Sequence, residues 1–124
     1  MYDYVQTLTA EERVANGMQF LHNNCVVENW LQKINTEKLS IYSAKLCVLG
    51  QIYGLYMDGC VALGISHQSR SNLPSEFNDD STLYRQFLGF SVGSDTYREE
   101  GNKVCDAWKR AIIAKKAAAK ISTP

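Results

Sequence analysis

The residues able to do covalent or metal chemistry are few and far apart. Four cysteines (Cys25, Cys47, Cys60, Cys105) are joined only by His22 and His67, and even the closest pair, Cys47 and Cys60, is thirteen positions apart. That spacing contains no Cys-x-x-Cys and no zinc-finger pattern, so no metal site is predicted. In a reducing compartment such cysteines stay as thiols and pack as small apolar groups. Cys47 or Cys60 could pair with His67 as nucleophile and base, which would make a cysteine-dependent hydrolase, but no local signature supports it. The acidic neighbours Glu11-Glu12, Asp79-Asp80 and Glu99-Glu100 stand at helix starts or in a loop. Capping explains them better than acid–base catalysis. The phosphate-cradling glycine loops, the His-Glu-x-x-His pair and the Gly-x-Ser-x-Gly elbow are all absent. No catalytic residue and no cofactor is predicted.

What remains is non-covalent chemistry. Rings are supplied by Trp30, Tyr53, Tyr56, Phe87, Phe90 and Trp108, and guanidinium groups by Arg13, Arg85 and Arg98. Stacked rings beside guanidinium groups suit a nucleotide pocket or a protein interface. The candidate binding residues are Arg70, Arg85, Arg98, Tyr53 and Tyr56. A second surface is the basic stretch Lys103–Lys120, where Lys103, Lys109, Arg110, Lys115, Lys116 and Lys120 face Asp106 alone. Lys109, Arg110, Lys115 and Lys116 would carry a nucleic-acid-binding alternative by neutralising phosphates. The same cations also suit the negative end of a helix dipole.

The elements that position these groups read as one domain. A chain of 124 residues, 45% hydrophobic and 21% charged, is long enough to bury a core. Thirteen basic residues balance thirteen acidic ones, so no global field draws in nucleic acid or a membrane. The start, Met1-Tyr2-Asp3-Tyr4, lacks the basic and long apolar regions of a secretion signal, which predicts a cytoplasmic protein. Nothing in the pattern predicts a membrane span, and homo-oligomerisation is left open.

Periodicity predicts a mainly α fold of about five helices with at most a minor β element. Thr9 and Glu12 are in capping-box relation, and Val14, Met18, Leu21 and Cys25 follow at helical spacing as far as Asn23-Asn24. Val26–Ile34 is a shorter segment in which Trp30 is expected to anchor the core. Leu39–Tyr42 alternates briefly and could run extended. Ser43 is expected to cap a central helix over Leu46–Tyr56, the most apolar window, in which Gly50 and Gly54 share a face for close packing. Met57-Asp58-Gly59 reads as its stop, and Cys60–Ile65 as another short helix ended by Gly64. Residues 66–81 form a long polar loop with five serines and the single cation Arg70. Thr82–Leu88 reads as a helix stopped at Gly89. The last helix is expected to begin near Asp95, with Thr96 and Glu99 as capping box. Tyr97, Gly101, Val104, Trp108, Ile112 and Lys115 form its apolar stripe, and residues 116–124 a frayed basic tail.

The combination Arg13-Val14-x-x-Gly17-x-x-x-Leu21, Trp30-x-x-x-Ile34, Leu39 and Cys47-Val48-Leu49-Gly50-Gln51-Ile52-Tyr53-Gly54-x-Tyr56 resembles a family of small uncharacterised bacteriophage and prophage proteins. Leu88-Gly89-Phe90 and Trp108 fit the same pattern, so the resemblance spans roughly residues 11 to 112. Its most specific part is the Cys-Val-Leu-Gly-Gln core. The chain departs from the pattern in lacking a proline-glycine before Trp30 and in its longer serine-rich loop. The resemblance implies no transferable activity and no catalytic residue. It implies a context: a small phage-encoded protein acting without catalysis. Such a protein would inhibit a host or defence complex, in the manner of an anti-CRISPR, or sequester a small signal nucleotide.

Overall fold

The computed structural model describes residues 1–93 and 97–121. Among them every regular element is helical, with no strand: α1 (Tyr2–Thr7), α2 (Ala10–Asn24), α3 (Trp30–Lys33), α4 (Val48–Tyr53), α5 (Tyr56–Ala62), a 3₁₀ turn (Ser75–Phe77), α6 (Ser81–Phe87) and α7 (Tyr97–Ile121). The mainly α class is therefore as the periodicity predicts, with seven helices rather than about five. Ile41 and Tyr42 form a turn, closed by the Ser43 amide on the Ser40 carbonyl at 3.2 Å, and Leu39–Tyr42 joins no strand.

α2 starts where its capping box requires. Thr9 accepts the Glu12 amide, and the Glu12 carboxylate takes the Thr9 amide. Its buried face (Arg13, Val14, Gly17, Phe20, Leu21) packs along α7. Gly17 leaves no room for a side chain: an added Cβ would collide with the Leu88 carbonyl oxygen and the Trp108 ring. Trp108, only 2% exposed, donates its indole N–H to the Gly89 carbonyl at 2.7 Å and stacks on Phe90 at 5.7 Å between centroids. Gly89 turns the chain after α6 at φ +72°. The ring, the turn and the missing side chain thus form one joint between α2, α6 and α7.

The central helix is not continuous, which corrects the expectation for Leu46–Tyr56. Ser43 caps only a turn, its hydroxyl accepting the Lys45 and Leu46 amides, and Cys47 is the true N-cap of α4 through its sulfur. Gly54 then takes φ +99°, closes α4 through its amide to the Gly50 carbonyl at 2.8 Å, and the chain restarts as α5. The two glycines therefore do not share a packing face. Gly50 lies against the carbonyl of Ala44 in its own preceding turn, whereas Gly54 has open space where a Cβ would be and is needed for its backbone angle. Met57-Asp58-Gly59 lies inside α5 rather than ending a helix, and Gly64, at φ +71°, supplies the stop.

Three further expectations are corrected. Trp30 is half-buried at the periphery, because Asn29 turns the chain through a left-handed conformation and α3 is a single turn; Ile34 takes the core position. The stripe of α7 ends at Ile112, with Lys115 exposed and Tyr97 largely so. α7 is not broken at residue 116 but runs as helix to Ile121, with the Lys116 ammonium donating to the Ile34 carbonyl at 2.7 Å. The expected helix start near Asp95 and its cap Thr96, and the last three positions, lie outside the described residues. Within 66–81 the backbone is tied down by Asn72, bonded to the Leu63 and Gly64 carbonyls, and by the buried Phe77.

Candidate binding cleft

Of the predicted arginines and tyrosines, the fold brings together Arg85 and Tyr56. Arg85 projects from α6 over the Tyr56 ring of α5, 5.8 Å from its centroid, and is held by Thr82 Oγ1 at 3.2 Å and Met57 Sδ at 3.7 Å. Its Nε is buried with no hydrogen-bond partner. Beneath it lies Cys60, fully buried. Burial pushes the Cys60 thiol up, although the Arg85 guanidinium and the Tyr56 hydroxyl favour the thiolate. Burial likewise raises Tyr56 well above an ordinary phenol, with Cys60 adding to the rise and Arg85 and Ser91 opposing it. Both groups stay neutral at physiological pH.

The other predicted residues are scattered. Tyr53 turns to Cys25, with its hydroxyl 3.4 Å from the sulfur, and burial pushes its phenol pKa up too. Arg70 is exposed and folds back onto the His67 carbonyl at 2.8 Å. Arg98 is exposed, and its carbonyl accepts the Tyr42 hydroxyl at 2.9 Å. The basic residues of α7 diverge. Arg110 is paired with Glu11 at 2.8 Å, Lys116 is spent on Ile34, Lys115 lies in the furrow beside Ala15 and His22 of α2, and Lys109 is half-buried.

A cleft of about 250 Å³ opens beside Tyr56, between the turn before α4 and the segment Phe90–Val92. Its walls are Ile41, Tyr42, Phe90 and Val92, with Tyr97 of α7 at the rim. Tyr42 and Tyr97 meet edge to face at 5.0 Å, and the Tyr42 hydroxyl is fixed by Arg98 and by Asn102 Oδ1, each at 2.9 Å. The floor carries the Ser91 hydroxyl, buried close enough to the Tyr56 hydroxyl to favour its ionised form but outside good hydrogen-bond geometry. The arrangement is a mostly apolar socket with rigid aromatic walls and one buried hydroxyl. Tyr42, Ser91 and Tyr97 were not singled out from sequence as a group: they are up to 55 positions apart and no periodicity links them.

The cysteines do not form the nucleophilic pair drawn above. Cys47 and Cys60 are buried, burial pushes both thiols up, and His67 is exposed with no bond to either. Among the described residues no three of the His, Cys, Asp and Glu side chains are placed to hold a metal, and no helix is long and apolar enough to cross a membrane. No family model, no curated protein and no solved structure matches the chain.

Proposed function

We propose that the protein is a non-enzymatic binder that acts by contact, as an inhibitor of a host or defence protein, and that the Tyr42–Tyr97 cleft receives an apolar anchor side chain of that partner. The observation that carries this reading is the apolar socket walled by Ile41, Tyr42, Phe90 and Val92, with Tyr97 at its rim. At about 250 Å³ it is smaller than the ~300–1,000 Å³ usual for small-molecule sites, and it suits one aromatic or branched side chain. Interface hot spots are such anchors in desolvated pockets, with aromatic groups around them. Tyr42, Leu55, Met57 and Tyr97 are exposed apolar residues on or next to the segments that form the cleft and the Arg85–Tyr56 pair, and they suit an interface core.

Phage context and an anti-CRISPR type of role rest on the resemblance alone. The nucleic-acid alternative draws no added support from α7, because two of its four cations are already bonded within the protein.

The test is native mass spectrometry of the protein captured from bacterial host lysate, with Tyr97→Ala as a comparison. A bound protein that is lost in the variant supports the reading. A bound nucleotide would replace the partner by a ligand, and capture indifferent to Tyr97→Ala would remove the cleft from the mechanism.

A further inference from the structure

A second groove, of about 540 Å³, lies between the α1–α2 junction and α7 and shares no residue with the cleft. Its lining is charged rather than apolar. Arg13 is set into it, only 3% exposed. One terminal nitrogen, Nη2, donates to the Val5 carbonyl at 2.8 Å, while Nε has no hydrogen-bond partner and no described carboxylate forms an ion pair with the group. Glu100 favours its charge from a distance but is engaged by Lys103 at 3.7 Å. A guanidinium withdrawn from water without an ion pair gains strongly from an anion brought to it.

The first turn of α2 faces the same groove. Thr9, Ala10 and Glu11 line it, and the Thr9 cap occupies only the Glu12 amide, so the positive end of a fifteen-residue helix points the same way. Across the groove, Asp106 of α7 is the complement: an exposed carboxylate with no cation of the protein bonded to it. The remaining charges are already matched, Glu11 with Arg110 and Glu100 with Lys103. One unpaired cation and one unpaired anion therefore line one groove.

We propose that this groove binds a small zwitterion of the α-amino acid class, with its carboxylate at Arg13 and the start of α2 and its ammonium at Asp106. A polyanion meets three lining carboxylates (Glu11, Glu100, Asp106) and a simple cation meets three lining cations (Arg13, Lys103, Arg110), so neither fits as well as a ligand carrying both charges.

The experiment is calorimetric titration of the full chain with a panel of the standard α-amino acids. Acetate and methylammonium serve as the two half-ligands, and Asp106→Asn as the variant. Asp106 is exposed, so its substitution leaves folding intact, whereas Arg13 also ties α1 to α2 through Val5. At least one amino acid is expected to bind saturably, either half-ligand far more weakly, and Asp106→Asn to weaken Kd about two- to fivefold, as for an exposed charge pair. Three results each overturn the assignment: no amino acid binds; acetate binds as well as the amino acid; or affinity is unchanged in Asp106→Asn.

Discussion

Gly17 and Trp108 show how much of the structure depends on a single missing methyl group. Gly17→Ala must push back either the Leu88 carbonyl or the Trp108 ring, and neither is a flexible chain end. The expected cost is about 1–3 kcal/mol or more, read as a lower urea midpoint with an unchanged slope. The thiols give a second residue-scale prediction. Cys47, Cys60 and Cys105 are buried and Cys25 is half-buried, so a thiol reagent under native conditions labels Cys25 first. Cys60 is expected to react only as the protein unfolds, which mass mapping of partial labelling checks. Trp108 was legible as an anchor because its helical spacing with Val104 and Ile112 is regular. Arg13 was not, because a charged residue in an acidic first turn reads as surface. Its spacing of four to Gly17 and seven to Phe20 is the signal that places it on the buried face.

Among the elements, α2 could be read almost to the residue, since capping box, apolar spacing and terminal asparagines agree. Thr9→Ala is expected to cost about 0.5–2 kcal/mol. The same box holds the Glu12 carboxyl below its ordinary value, first through the Thr9 backbone amide and then through the Thr9 hydroxyl. A carboxyl depressed in the folded state stabilises the protein above its unfolded value of about 4.5, and that contribution is lost as pH falls through the lower folded value. NMR titration of Glu12 is expected to move toward the ordinary value in Thr9→Ala. The break between α4 and α5 was not legible. Two glycines four apart look the same whether they pack a helix or one of them ends it, and a cysteine is not a usual cap. Gly54→Ala decides the matter: where a continuous helix would be stabilised, the φ of +99° predicts a loss of about 1–3 kcal/mol by thermal or urea unfolding. The cleft was illegible for a related reason, because Tyr42, Ser91 and Tyr97 come from three separate segments and meet only through tertiary packing.

Across the whole molecule, the buried neutral acids set an upper limit on pH. Cys47, Cys60 and Tyr56 ionise later in the folded protein than their ordinary values of 9.0 and 10.0, chiefly because of burial. Between those values and the raised ones the unfolded chain loses protons that the folded chain keeps. Their contribution is therefore complete below about pH 9 and declines as pH rises. Urea midpoints are expected to fall between pH 8 and pH 10.5, a range that brackets these ordinary values, and the fall should be smaller in Tyr56→Phe. The joint of Gly17, Gly89 and Trp108 carries a consequence in time as well as in strength. α2 is made before α7, yet the surface that covers its apolar face belongs to α7, some ninety positions later in the sequence. A nascent chain on the ribosome carries that face uncovered until Trp108 and Ile112 have emerged from the exit tunnel. Packing of α2 thus waits on α7, and until then the half-made chain is a natural client for chaperones that hold exposed apolar helices.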